Sequence, residues 1–448
     1  MAFDSHGLTI TTACDAAGAA LDHALLGYMD YRADTAARLA KALESDPDMA
    51  LAHVLKGYLL LLANDSAKIA PARAALAEAR RHAGAVTARE RAHMDALEVW
   101  SKGDTLAAIA VWDDILRVHP HDVLALRLGY FANFWLGRPQ AMADSVERVL
   151  PAWRPGLPGY GTVLASLCFA HEECGNYATA EAAGREAIDI DPGNLWAAHG
   201  VAHVLEMQGR CEDGIAWLER LAPHWAGGNN LTHHLWWHRS LYHLEQRDFA
   251  KVLELYDTRF RDLAAPLTVA TPDAYNDIQN AASMLFRLER HGIDVGDRWG
   301  EIADKAVHHI GNVMSPFTYL HWVMAATATQ RWTLADQLVE GIRSYAASCH
   351  PSQRHRLEAC ALPIAQAILA RGRGTWREAL ETMRPALAHT QHLGGSHAQR
   401  DLFDQLYLDI ALKAGSTADV RFLLDRVGRL LPVQDRIGYA EAARTLPH

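Results

Sequence analysis

Apolar residues recur at intervals of three and four along almost the whole chain, the signature of amphipathic α-helices. The apolar stretches are short, so helices of about 12–16 residues each are expected. No stretch alternates β-branched residues between turn signals, as a strand would.

The breaks between stretches repeat. "CGNYATAEAAGREAIDIDPGN" has a Gly-Asn-Tyr turn, then Ala180, Ala187 and Pro192. "KGDTLAAIAVWDDILRVHPHD" places Gly103, Ala108, Trp112 and Pro120 at matching offsets. Pro47 closes an earlier helix in the same way. Gly209, Gly214 and Trp217, then Gly374 and Ala379, then Gly415, mark further turns. Each pattern fits helix, short Gly-containing turn, helix. Gly ends the first helix in a left-handed conformation, and small residues let the paired helices approach closely.

The period is the 34 residues of the tetratricopeptide repeat (TPR). Units fall at 89–122, 161–194 and 195–228. Later units drift, with insertions near 226–232, 262–272 and 291–297. About twelve helical hairpins would fill the chain at this period, and about six or seven have a recognisable turn. "RPGLPGYG", 154–161, reads as a linker between units because Pro155 and Pro158 break helices. The expected fold is all-α: a right-handed superhelical array of TPR-like antiparallel helix pairs, an α-solenoid over 1–448 as one domain. In its tightest form it would close around a central cavity. "NNLTHHLWWHRSLYHLEQRDFAKVLELYD", the later "GGSHAQRDLF" and the opening "HGLTITTACDAAGAALDHALLGYMDYRADTAARLAKALESDPDMALAHVLKGYLLLL" resemble the tetratricopeptide repeat protein 38 family. The likeness runs over essentially the whole chain. It implies an all-helical fold and no settled activity.

Composition narrows the function. A net charge of −10, from 43 basic and 53 acidic side chains, argues against a general nucleic-acid binder, which needs a basic face. No apolar run reaches the ~20 residues that span a bilayer. The N-terminus lacks the basic start and apolar run of a secretory signal. Six cysteines are too few for a disulfide scaffold, so a reducing cytoplasm is expected. Cys168, Cys174 and His171 lack a CxxC pair, and Cys168 reads as a small packing residue. There is no GxSxG elbow, Walker sequence or dinucleotide fingerprint. Trp100, Trp112, Trp135 and Trp217 read as inter-helix core.

The 25 histidines carry the chemistry by their placement. In "LWAAHGVAHVLEMQG", 195–209, His199, His203 and Glu206 share one helix face by 4-then-3 spacing. The groove-facing positions of that helix are Trp196, His199, His203, Glu206 and Met207. On the next inner helix, roughly 229–246, His234, Trp237, His238, Leu241 and Glu245 share a face. Asp273, Asp277 and Asn280 fall on the following one and His321 on the one after. Trp196, Trp237 and Trp322 would wall a partly apolar, partly ionisable site.

The cluster admits three readings. His199, His203, His234 and His238 could hold a divalent metal, since imidazoles at i and i+4 suit one ion, although HExxH is absent. They could form a hydrogen-bonded interior network. They could serve a metal-free site, with His199, His203, Glu206 and His238 as acid and base, and Trp196, His234, Trp237, Glu245, Asp277 and His321 contacting the ligand. In "GGSHAQRDLF", Ser396 caps a helix, and His397 and Arg400 could hold an anionic group. Binding of a small molecule or peptide is the preferred role, because no nucleophile or cofactor motif is present. A hydrolase or lyase using the same residues is the alternative. A second copy of the chain is a further candidate partner.

Overall fold

In the computed structural model, residues 1–430 and 433–446 are described. The helices run α1 Asp15–Met29, α2 Thr35–Ser45, α3 Ala50–Leu62, α4 Ile69–Arg81, α5 Ala88–Ser101, α6 Thr105–Val118, α7 Val123–Trp135 and α8 Pro139–Val149. Next come α9 Tyr160–Glu173, α10 Tyr177–Ile190, α11 Leu195–Met207, α12 Cys211–Leu221, α13 Leu231–Glu245, α14 Phe249–Leu255, α15 Pro266–Ala270 and α16 Tyr275–Arg290. The chain continues with α17 Arg298–Ala306, α18 Pro316–Ala328, α19 Trp332–Ser348, α20 Pro351–Arg356, α21 Leu362–Gly372, α22 Trp376–Met383, α23 His397–Lys413, α24 Thr417–Val427 and α25 Tyr439–Arg444.

The fold is therefore all-α, built of TPR-like helix pairs in chain order. The three units expected from the turn spacing coincide with α5–α6, α9–α10 and α11–α12. The N-terminus departs from the all-helical expectation. Ala2–Phe3 and Thr9–Ile10 form a short antiparallel β-hairpin, too brief to leave an alternating pattern.

Local chemistry sets the helix ends. Thr87 and Glu90 form a reciprocal capping box at α5, and Ser396 and Gln399 form another at α23, as the Ser396 reading anticipated. Gly175 and Gly209 close α9 and α11 with φ of +79° and +70°. The equivalent places after α13 and α18 hold Arg247 and Gln330, at φ of +60° and +55°.

The helices pack into two compact units, Met1–Val201 with Leu221–Leu231, and Ala202–Arg220 with residues from Thr232 onward. Within the first, Tyr58 and Trp112 are fully buried and joined by a hydrogen bond from the indole N–H to the phenolic oxygen, 3.1 Å. Close helix approach is visible around Cys168. A Cβ on Gly184 would lie 2.5 Å from Val201 Cγ2 and 2.7 Å from Cys168 Sγ, and one on Gly200 would lie 2.6 Å from the same sulfur. Burial pushes the Cys168 thiol far above its ordinary range, as befits a packing residue. Gly184→Ala would gain about 1 kcal/mol of helix propensity but overpack the contact by about 1–3 kcal/mol. The neighbours are buried on rigid helices, so the clash should win. Urea unfolding should show a net loss, and a net gain would refute the tight contact.

In the second unit, Tyr242, Phe286, Tyr319, Tyr407 and Tyr439 are fully buried. Tyr242 also donates to the carbonyl of Ala202 at 2.6 Å, tying α13 to α11.

Candidate functional site

The second unit gathers most of the histidine face. His203 on α11 and His234 and His238 on α13 are 0%, 4% and 0% exposed. The His238 ring lies 4.3 Å from that of His203 and 4.7 Å from that of His234, centroid to centroid. One ring nitrogen of each of the three falls within 4.8 Å of the others. The 3- and 4-residue spacings on two packed helices bring them together, as the sequence pattern implied.

The two rings that α13 adds to the trio each face an oxygen at Nδ1. His234 Nδ1–H donates to Asn280 Oδ1 at 2.7 Å, which makes Nε2 its lone-pair nitrogen. His238 Nδ1 lies 3.0 Å from Glu206 Oε2. Burial pushes the His238 imidazole down to about 3. Burial and the neighbouring His238 push His234 down to about 3 as well, against the hydrogen bond to Asn280. Both rings are thus neutral at physiological pH.

Glu206 behaves oppositely. Burial pushes its carboxyl up to about 7, against the pull of the Arg436 and Arg287 guanidinium groups, and Asp401 adds to the rise. A carboxyl half-ionised near neutrality beside a neutral imidazole can pass a proton along the hydrogen bond between them. When protonated, Glu206 donates to His238 Nδ1. When ionised, it accepts from Nδ1–H.

Glu206 also lines a small cleft of about 20 Å³, with Glu245, Arg287, His291, Asp401 and Arg436 among its walls. Arg436 donates from Nη1 to the Glu206 carbonyl at 2.8 Å, and its Nε lies 3.2 Å from Glu245 Oε1. Glu245 accepts from the Ile437 N–H at 2.9 Å. Burial raises its carboxyl pKa, opposed by Arg436 and that N–H. Arg287 on α16 pairs with Asp401 on α23 at 3.1 Å, and Tyr439 O–H donates to the other Asp401 oxygen at 2.5 Å. Burial, with Arg290 and Arg247, pushes His291 down to about 4. The walls thus balance two arginines against carboxylates.

Of the remaining sequence candidates, Trp237 packs against the trio and the others lie elsewhere. Trp237 stacks on His234 with rings 5.0 Å apart and donates to Ser283 Oγ at 3.1 Å. Asp277 accepts from His233 Nδ1 at 3.0 Å, so it orients a histidine outside the trio. Asp273 precedes α16 and pairs with His309 at 3.2 Å. His321 donates from Nδ1 to the Phe317 carbonyl at 2.9 Å and packs edgewise on Phe403. Trp322 stacks on His309 at 4.5 Å. Arg400 donates to the Gly395 carbonyl and approaches His397 Nδ1 at 3.3 Å, both half-exposed at the start of α23.

His199 lies one turn before His203 on α11, in the first unit, where it stacks on Trp196 at 4.6 Å. Trp196 also stacks on Tyr31 at 5.4 Å, and the guanidinium of Arg127 sits over Tyr31 and Phe131 at 4.2 and 4.8 Å. Arg127 is 1% exposed, and its Nε and Nη1 have no hydrogen-bond partner among the described residues.

Sequence reasoning missed Arg287, Arg436 and Tyr439. Arg436 and Arg287 lie far along the chain from the histidine helices, and no motif announces either. No helix among the described residues is long and apolar enough to cross a membrane.

No protein-family model matches the chain. Among solved structures it is similar to a human IFIT1 dimer with m7Gppp-AAAA, at 12% identity over 95% of each chain with a TM-score of 0.40. It is also similar to Naa15/Naa10 bound to HypK-THB, at 14% identity over 96% of this chain and 65% of that one, with a TM-score of 0.26. The P58(IPK) TPR domain matches at 14% identity over 75% of this chain and 83% of that one, with a TM-score of 0.18.

Proposed function

We propose that the second unit binds a small polar molecule at the Glu206 cleft, with Glu206 and His238 exchanging a proton with it. The supporting observation is the pairing of a carboxyl near pKa 7 with a neutral imidazole 3.0 Å away, at the edge of a cleft. At about 20 Å³ the cleft has room for a water-sized polar group of a ligand and none for a peptide. Its balanced charges favour a neutral or zwitterionic ligand. Burial against arginines keeps the site selective, because any group left unpaired there is penalised.

The second reading is an enzyme, a hydrolase or lyase, in which a divalent metal joins His203, His234 and His238. Two features fit a metal: neutral imidazoles, and Nδ1–H bonds to Asn280 and to ionised Glu206 that leave Nε2 as the ligating nitrogen. Bound there, a metal would supply Lewis acidity or an activated water. Three imidazoles leave a further coordination position for that water or for the substrate. Glu206 near neutral pKa would then move the proton.

The test uses tag-free protein. His203→Ala and His238→Ala are each expected to abolish ligand binding or turnover, judged against a metabolite library, while circular dichroism stays helical. Elemental analysis separates the readings: near-stoichiometric zinc, manganese or iron supports the enzyme. A metal-free protein whose melting is indifferent to chelator removes it. Both variants unfolding without soluble product would leave the cluster a structural network.

A further inference from the structure

A second histidine cluster lies apart from the Glu206 cleft. His355 sits on α20, and His389 and His392 sit on the 3-10 helix Arg384–Leu393. A 3-10 helix has three residues per turn, so residues i and i+3 point the same way. His389 and His392 therefore face one side, and His355 meets them from the neighbouring helix. Ring centroids are 5.4, 6.0 and 6.1 Å apart. One ring nitrogen from each falls within 4.8 Å of the others.

His355 and His392 are exposed and His389 is half-exposed. None of the three makes a hydrogen bond or ion pair among the described residues. Three imidazoles without an acidic partner repel one another once protonated.

We propose that His355, His389 and His392 form a surface site for a divalent transition cation, zinc being the reference ion. Imidazole nitrogens are ligands for zinc, copper, nickel and cobalt, and three of them leave a fourth position for water or a substrate group. Bound zinc needs nitrogens roughly 3.3 Å apart, from bond lengths of about 2.0 Å in a tetrahedron. Exposed rings can close that gap by small side-chain rotations. The site would clip α20 to the later 3-10 helix, restraining the chain between them.

The test is calorimetric titration of tag-free, full-length protein with Zn²⁺, repeated with Co²⁺ to read the visible d–d band of a tetrahedral site. His355→Ala and His392→Ala remove exposed side chains and should keep native helicity. Each is expected to lose one equivalent of metal, or to weaken it at least tenfold, and to lose that cobalt band. His238→Ala, in the buried cluster, should keep this equivalent. The proposal is overturned if wild type binds no zinc tighter than about 100 µM. It is equally overturned if both surface variants bind like wild type, or if only His238→Ala loses metal.

Discussion

Asp122→Ala is expected to destabilise the first unit by about 3–5 kcal/mol, the cost of leaving a buried cation without its partner. Asp122 is 2% exposed. Its Oδ2 accepts from Arg89 Nη1 at 2.7 Å and lies 3.1 Å from His93 Nε2, and its Oδ1 accepts from the Ala125 N–H at 2.8 Å. One carboxylate thus caps α7 and neutralises a guanidinium that is itself 7% exposed. Arg89 also donates to the Thr9 carbonyl at 2.8 Å, so the loss spreads to the N-terminal hairpin. His93 is tied in turn to Tyr58, which accepts from Trp112.

Burial alone would raise the Asp122 pKa, yet His93, Arg89 and the Ala125 N–H together hold it well below the usual carboxylate range. A depressed acid contributes stability that is fully present above the unfolded pKa of about 3.9 and is lost as pH falls through the folded value. Wild type should therefore shed this contribution only in strong acid, and the variant should have a flatter acid limb. Asp122→Asn keeps the cap but not the charge, and should fall between the two. Urea unfolding at pH 7 and pH 3 measures both effects. A loss under ~1 kcal/mol at pH 7 would mean that water, not Asp122, solvates Arg89.

The helix pairs are legible in the sequence wherever a glycine closes the first helix. Gly103, Gly175 and Gly209 each take a left-handed φ, and the units counted from them match the observed pairs. The register is lost where Arg247 and Gln330 occupy the same left-handed turn, because nothing in a single sequence marks a side chain that tolerates it. Two π-helical turns, Tyr256–Phe260 and Leu357–Ala361, add residues that no 34-residue period anticipates.

The site divides along the same line. His203, His234, His238 and Glu206 meet because helical spacing and the order of the pairs are both local rules. Asp277 shares the periodicity yet serves His233, since which neighbour an aspartate finds depends on the packing of α16. Arg436 and Arg287 reach the cleft through long-range packing that leaves no trace in local pattern. His355 meets His389 and His392 by the same kind of contact, and only the i, i+3 pair was readable in principle.

Glu206→Gln should make the protein more stable above neutral pH, by about 3 kcal/mol at pH 8. The figure follows from a carboxyl raised from 4.5 to about 7, at ~1.4 kcal/mol for each tenfold change in proton affinity. An acid raised by folding contributes stability that is fully present below its unfolded pKa and is lost as pH climbs through the folded value. Wild type should therefore weaken between about pH 4.5 and pH 7 as folded Glu206 surrenders its proton reluctantly. The substituted glutamine cannot ionise, and its amide N–H can donate to His238 Nδ1 as the protonated acid does. The two proteins should be near equal at pH 4 and diverge upward. Glu245 and Asp404 are also raised by burial and add slope of the same sign, but they are common to both proteins and cancel in the difference. Arg436 still donates to the backbone carbonyl at this position, so its main anchor persists. The same substitution should remove the neutral-pH titration from ligand binding, because the exchanged proton is gone. Parallel stability curves for the two proteins from pH 4 to pH 8 would show that Glu206 is solvated in the fold and would remove the proton-exchanging pair from the cleft.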